Sequence, residues 1–430
     1  MLGICRRRLS FSVAVAAVTG MVCLLLSGSA RSAEGSDGGQ TGRQAERERG
    51  TIVLPFELDH NRILVDVELR LADGSAEHVR GWVDTGNPQL WATRRVAGLL
   101  DLDGAGRPVK QGGADPLAVT SRAVFLGGVR VPLPEEPAAS VAPSDRIAPG
   151  LDAELNLPST LLRNYDILVD YPRRRVTMAP SGALTFQGEG TAVFVNEANG
   201  LVQVPSSLDG VDCNLGLDLG ASFSLLSGDV FRKLATAHPA WPRMTGAVGL
   251  ANFWGLPDEA EWSLLQVRRL LFGRLSLEQV GVASIPEPLV RGIVDRAGTD
   301  TVGLLGGNAL AGRHIGIAYS RRRLYVDGPA HLEHTAMDVV GVILRPERDG
   351  RYSIVGVAKV AGQPVLAGVE PGDVLVSVDG VPTKGVTMGR IWSMLSGTPG
   401  QLRELRLETN GNVHTVRVPV QRFLADPSPQ

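Results

Sequence analysis

The sequence predicts a mainly β protein built of two homologous lobes followed by a smaller β-rich tail domain. Three observations carry this: apolar residues alternate with period 2, a residue pattern recurs at a fixed offset, and the tail has a pattern of its own. At 430 residues the chain exceeds what one core ordinarily holds. Its 43% hydrophobic and 20% charged residues, with 52 Gly and 27 Pro, belong to a turn-rich globular protein rather than a disordered or coiled-coil one. The formal net charge is −2, and the segment before Glu34 holds arginines but no acids, so the remainder is more acidic still. That balance disfavours a nucleic-acid partner.

Residues 1–33 read as a signal peptide. Arg6, Arg7 and Arg8 precede an apolar run from Leu9 to Leu26, and the small residues Ser27-Gly28-Ser29-Ala30 follow. The protein is expected to be exported, periplasmic or secreted. The apolar run is just long enough to span a bilayer, so membrane attachment is expected only if the signal stays uncleaved. Thr19-Gly20-Met21-Val22 before Cys23 does not match a lipoprotein signal. Residues 34–50 are almost free of apolar side chains and form a flexible leader. Cys213 is the lone cysteine beyond the signal, so neither an internal disulfide nor a Cys-rich metal site is available.

Lobe one spans 51–182 and lobe two 190–328. In the first, Ile63, Val65, Val67, Leu69 and Leu71 alternate as in a half-buried strand, Asp73-Gly74 makes a turn, and Gly81-Trp82-Val83 runs into Asp84-Thr85-Gly86. In the second, Leu201–Val204, the turn Asp209-Gly210 and Leu215-Gly216-Leu217 run into Asp218-Leu219-Gly220. Asp170–Val176 matches Ala318–Leu324 at an offset of 148, with Leu162/Leu310 and Ile167/Ile315 in the same register. The triple arginines 173–175 and 321–323 stand at a strand start in both copies and read as a solvated edge. Trp82 and Trp91 read as core. His331-Leu332-Glu333-His334 lacks the spacing of a metal motif and reads as linker. No Gly-x-Ser-x-Gly elbow is present.

A lone Asp-Thr-Gly is ordinarily just a turn, but its recurrence in a duplicated lobe makes the pair Asp84 and Asp218 a candidate for chemistry. Two carboxylates brought together across a twofold axis cannot both ionise, so one stays protonated while the other is a base. Such a pair activates a water against a peptide carbonyl. Both lobes resemble the aspartic proteases, of pepsin-like or retropepsin-like type, on Val83-Asp84-Thr85-Gly86 and on Val302-Gly303-Leu304-Leu305-Gly306, which looks like the segment that supports the catalytic turn. The resemblance implies catalytic Asp84 and Asp218, turn support from Thr85, Gly86, Gly220 and Ser222, a polypeptide substrate, and no metal or other cofactor. Ile147-Ala148-Pro149-Gly150 is the lobe-one candidate for the support segment. Val109–Val119 and Thr245–Ala260 fall where that family keeps its flaps. Departures are Leu219 in place of a hydroxyl residue and Asn87-Pro88 after the first turn.

The tail, 337–423, resembles a bacterial PDZ domain. Val369-Glu370-Pro371-Gly372-Asp373 leads into a Val374–Val378 strand, Thr387–Leu395 is a short apolar helix, and Leu402–Leu407 and Val413–Val418 alternate. By resemblance Gly341, Val342, Ile343 and Leu344 receive a peptide or protein C-terminus, and Ile391 and Leu395 line the groove. Peptide capture there works by strand addition. The tail is expected to be separable, with a chain ending near Gly328 remaining folded. The alternative function is a catalytically inactive protease-like envelope protein that uses the PDZ groove as a peptide-binding module.

Overall fold

The computed structural model describes residues 50–71, 73–102, 123–135, 138–286, 292, 296, 301–329 and 337–425. The signal peptide, the leader up to residue 49, Val109–Val119 and His331–His334 lie outside the described residues. The protein is mainly β, with several sheets. In strand Arg62–Arg70 the alternation resolves as read: Ile63, Val65, Val67 and Leu69 are buried while Asp66 and Arg70 face solvent. The Asp73-Gly74 turn returns the chain as strand Ala76–Asp84, pairing Leu64 with Trp82 and Arg70 with Ala76. Continued by two residues, this register puts Arg62 opposite Asp84.

The duplication is visible in how each lobe threads its sheet. Strand Leu155–Pro158 lies parallel to Ala76–Asp84 and antiparallel to Trp91–Thr93. Strand Thr301–Leu305 stands in the same relation to Val211–Leu217 and Ser224–Ser227. In each lobe, therefore, a strand arriving late in sequence separates the strand that ends at the Asp turn from the one that follows it. Leu157 pairs with Val83 just as Leu305 pairs with Leu217, and the short helices Ser159–Leu162 and Gly307–Leu310 also match at the offset of 148. By register, the lobe-one counterpart of Leu304-Leu305-Gly306 is thus Asn156-Leu157-Pro158. The expectation that Ile147-Ala148-Pro149-Gly150 would fill that role is corrected, for Gly150 packs instead against Pro346 and Met388 of the tail.

Hairpins from both lobes merge in a central six-stranded sheet. Asp166 pairs with Ala318 and Asp170 with His314. Shifting each residue by the repeat offset exchanges these two pairs, and Leu168 faces its own counterpart Gly316. A local twofold axis therefore passes between Leu168 and Gly316. The hairpin turns confirm the match, since Arg174 and Arg322 both adopt left-handed backbone, at φ 52° and 48°. The arginines 173–175 and 321–323 are exposed, as a solvated edge requires.

The tail forms a sheet in the order Val342–Pro346, Tyr352–Val357, Val374–Val378, Leu402–Thr409, Asn412–Pro419, with helix Met388–Leu395 capped by Thr387, whose hydroxyl accepts from the Arg390 N–H at 3.2 Å. It does not stand apart. Thr245 of lobe two pairs with Lys359, the Gln266 amide donates to the Leu424 carbonyl, and one apolar cluster runs from Phe223, Leu250 and Phe253 to Ile343, Ile391 and Trp392. The tail completes the burial of lobe two's apolar residues, which argues against the separability expected from the sequence.

His60 is buried at this junction and donates from Nε2 to the Asn252 carbonyl at 3.0 Å. Burial, aided by the Arg62 charge, lowers its pKa from 6.5 to about 3. Unfolded His60 takes a proton near pH 6.5 and folded His60 refuses it, so folding loses about 1.4 kcal/mol per pH unit as pH falls from 6.5 toward 3. Denaturation midpoints of the wild type and His60→Gln should diverge across that window, the variant being less acid-sensitive, and should run parallel above it.

Candidate functional site

The two Asp turns meet at the lobe interface and lock into each other. A Cβ on Gly86 would overlap the Asp218 carboxyl, and one on Gly220 would overlap the Asp84 carboxyl, so only glycine lets each turn accept the other's acid. Thr85, fully buried, bridges the turns: its hydroxyl donates to the Leu217 carbonyl at 3.2 Å and accepts from the Leu219 N–H at 2.9 Å. The reciprocal bridge is missing because Leu219 has no hydroxyl; its side chain lies in the main apolar cluster. Among the described residues Ser222 makes no hydrogen bond to either acid. Its hydroxyl donates to the Leu250 carbonyl at 2.9 Å, tying the second turn to the segment above it. Asn87 and Pro88 close a local turn, with Asn87 Oδ1 accepting from the Gln89 N–H and the Pro88 carbonyl accepting from Thr160.

Replacing Thr85 with Val should leave the Leu217 carbonyl and the buried Leu219 N–H unpaired, at a cost of about 2–3 kcal/mol. Thr85→Ser keeps both bonds and should cost less than half as much. Urea denaturation of the two variants checks the difference.

The two carboxyls are unequally treated. Asp218 keeps a partly exposed edge, and its Oδ1 accepts the N–H groups of Gly220 and Ala221 at 2.8 and 3.0 Å. Enclosure by protein raises its pKa, while these donors, Arg296 and Arg62 oppose the rise. Asp84 is 2% exposed, and its Oδ2 has no hydrogen-bond partner among the described residues. Burial, then repulsion from Asp218, push it well above the carboxylate range, against hydrogen bonds from Asn156 and Gly86. Both carboxyls are thus pushed upward, Asp84 the further because it is the more deeply buried and lacks Asp218's two backbone donors.

Arg62 is the group that sequence reasoning missed. It is 1% exposed, its charge reaches Asp59, Glu259, Asp84 and Asp218, and burial lowers its pKa only to about 10, so it stays cationic. Its guanidinium stacks 4.6 Å from the Trp254 ring and donates to the Phe253 carbonyl at 2.9 Å. The signal was present in the hairpin register, which sets Arg62 beside Asp84.

The segment Thr245–Ala260, which was expected to supply a flap, packs beside the strand that carries Asp84. Trp254 packs edge-on against Trp82 at 6.0 Å, and Trp82, two residues before Asp84 in one strand, shares its face. Trp82 and Trp91 are buried, as read. Buried Glu259 organises the segment, its Oε1 accepting from the Trp254 and Leu256 N–H groups at 2.8 and 3.3 Å and its Oε2 from Asn252 at 2.6 Å. Burial raises its pKa to about 7.

The residues expected to form the peptide groove are brought together in the tail. Gly341, Val342, Ile343 and Leu344 lead into the edge strand, with Ile391 and Leu395 on the facing helix; Ile343, Leu344, Ile391 and Leu395 are all fully buried. A side chain at Gly341 would collide with Val365.

No family model matches the chain, and no curated protein matches it. Among solved structures it is similar to the photosystem II D1 C-terminal processing protease, at 25% identity and TM-score 0.18, over 20% of this chain and 23% of that one. It is also similar to the PDZ domain of the carboxy-terminal protease from Vibrio cholerae in complex with peptide, at 20% identity and TM-score 0.18, over 20% of this chain and 94% of that one. Basic 7S globulin from soybean is similar over 65% of this chain and 94% of its own length, at 11% identity and TM-score 0.36.

Proposed function

We propose that the protein is an exported aspartic-type endopeptidase whose C-terminal PDZ-like domain engages a polypeptide substrate or partner. The observation that carries this reading is the interlocked pair of Asp turns, with Asp84 deeply buried and raised well above the carboxylate range and Asp218 accepting two backbone N–H groups. Ionised Asp218 takes a proton from a water as it attacks the peptide carbonyl, and neutral Asp84 donates to the carbonyl oxygen. The resulting tetrahedral adduct collapses when a proton passes to the leaving nitrogen. No covalent enzyme intermediate is needed, and the chemistry calls for no metal. Signal cleavage would deliver the chain to the periplasm or beyond.

A second reading has one observation in its favour. Leu219 removes half of the hydroxyl bridge between the turns, so a protein that binds peptides without cleaving them remains a defined alternative. Digestion of a peptide library by the purified full-length mature protein, across pH 3 to 8 and with fragments read by mass spectrometry, separates the two. Cleavage lost in Asp84→Asn supports the peptidase; peptide binding without any cleavage supports the alternative.

A further inference from the structure

The edge strand Val342–Pro346 ends the tail sheet, and its outward backbone groups are where an added strand would pair. At Leu344 they are already in use. The Asn252 side-chain amide donates to the Leu344 carbonyl at 3.0 Å and accepts from the Leu344 N–H at 3.0 Å, reproducing with one side chain the two-point pairing of a strand residue. Three residues on, Gly255 (φ +70°) lies so close that a Cβ would stand 2.6 Å from the Arg345 Cα and 2.8 Å from the Leu344 carbonyl oxygen. Phe253 and Leu250 join the same apolar cluster as Ile343, Met388 and Ile391. The edge strand is therefore occupied by lobe two at Leu344, while Asp59 and Gly150 of lobe one pack at the start of the helix.

The filling segment has a second face. Trp254 rests on Trp82, the Phe253 carbonyl is held by Arg62, and the Leu250 carbonyl by Ser222, four residues after Asp218. One stretch of about nine residues thus packs on Trp82, Arg62 and Ser222, which flank the Asp turns, with one face and on the Leu344 edge with the other. A rigid strap with two docking faces cannot release one without loosening the other.

We propose that residues 248–256 are an autoinhibitory strap: an extended apolar peptide that pairs with the Leu344 edge displaces Asn252 and thereby uncovers the Asp84/Asp218 cleft. The inference rests on the peptidase reading for its consequence, but the strap itself can be tested apart from hydrolysis. By linkage, ligand binding at the groove and access to the cleft favour each other.

The test uses the full-length mature chain and, as groove ligand, a synthetic peptide of the strap's own sequence, Val248–Leu256, with Trp254→Phe so that the peptide adds no tryptophan signal. Asn252→Ala removes both bonds to Leu344, which should shift the open population about tenfold. Three readouts are followed: exchange of the Leu344 amide, quenching of Trp254 fluorescence by acrylamide (with Trp254→Phe to assign the signal), and hydrolysis of a short peptide. Both the substitution and the added peptide should increase Trp254 quenching; the substitution should also speed Leu344 exchange and raise hydrolysis about tenfold. Should Asn252→Ala fail to fold, Asn252→Asp keeps the shape and sets a carboxylate against Glu259 and the Leu344 carbonyl, with the same expected direction. Increased quenching without hydrolysis in any form leaves the strap standing and sinks the peptidase. Faster Leu344 exchange with Trp254 unchanged, or added peptide that binds without altering Trp254, overturns the strap.

Discussion

Asp84→Asn and Asp218→Asn should each lower peptide hydrolysis by about 10³-fold or more, with the double variant little worse than either. Each amide keeps the shape of its turn but removes a group that must exchange a proton in every cycle, and residues that act as a unit do not add. The pH profile follows from the two directions of shift. On the peptidase reading the pair works with one proton between its two acids, and burial and Asp218 raise the pKa of Asp84 well above the carboxylate range. As pH rises through that raised value the proton is lost and activity falls; at low pH Asp218 also protonates and activity falls again. A bell results, and its two limbs belong to the pair rather than to either residue. Steady-state kinetics of the three variants from pH 2.5 to 8 check this. An Asp218→Asn protein that retains wild-type turnover would falsify the paired-carboxylate mechanism.

A chain ending at Gly328 should fail to give a stable, monomeric fold. Leu250, Phe253, Trp262, Leu225 and Leu304 belong to an apolar cluster that the tail completes through Ile343, Met388, Ile391, Trp392 and Phe423. Re-exposing several such side chains, each worth about 1.5–3 kcal/mol, costs on the order of 10 kcal/mol, which is comparable to the whole stability of a domain. Two further ties go with it, the Thr245 pairing with Lys359 and the hydrogen bond from Gln266 to Leu424. Thermal unfolding by circular dichroism with light scattering checks the outcome. Cooperative unfolding of a monomer within a few degrees of the full-length midpoint would restore the separable tail.

Where the sequence could be read, it was read through repetition. Two copies of one local pattern made Asp84 and Asp218 a pair, and the offset of 148 later matched paired strands, short helices and left-handed arginine turns residue for residue. The lobe-one support segment was misread for a definite reason. Ile147-Ala148-Pro149-Gly150 has the expected apolar-apolar-Gly composition, whereas Asn156-Leu157-Pro158 carries the pairing without it. Backbone register does not depend on the motif's letters. Arg62 was obscured in another way, since a charged residue at a strand start reads as surface until the partner strand's acid is placed beside it.

The sequence by itself determined the β class, the duplication, the acid pair and the tail pattern, because each is a local or periodic property of residue type. Only the tertiary structure decided how differently the two acids are buried, what residues 248–256 pack against and whether the Leu344 edge is already paired. Those depend on burial and on contacts between residues some ninety positions apart, as with Asn252 and Leu344. A carboxyl's charge and a strand edge's availability are set by what surrounds them, and no window of sequence contains those surroundings.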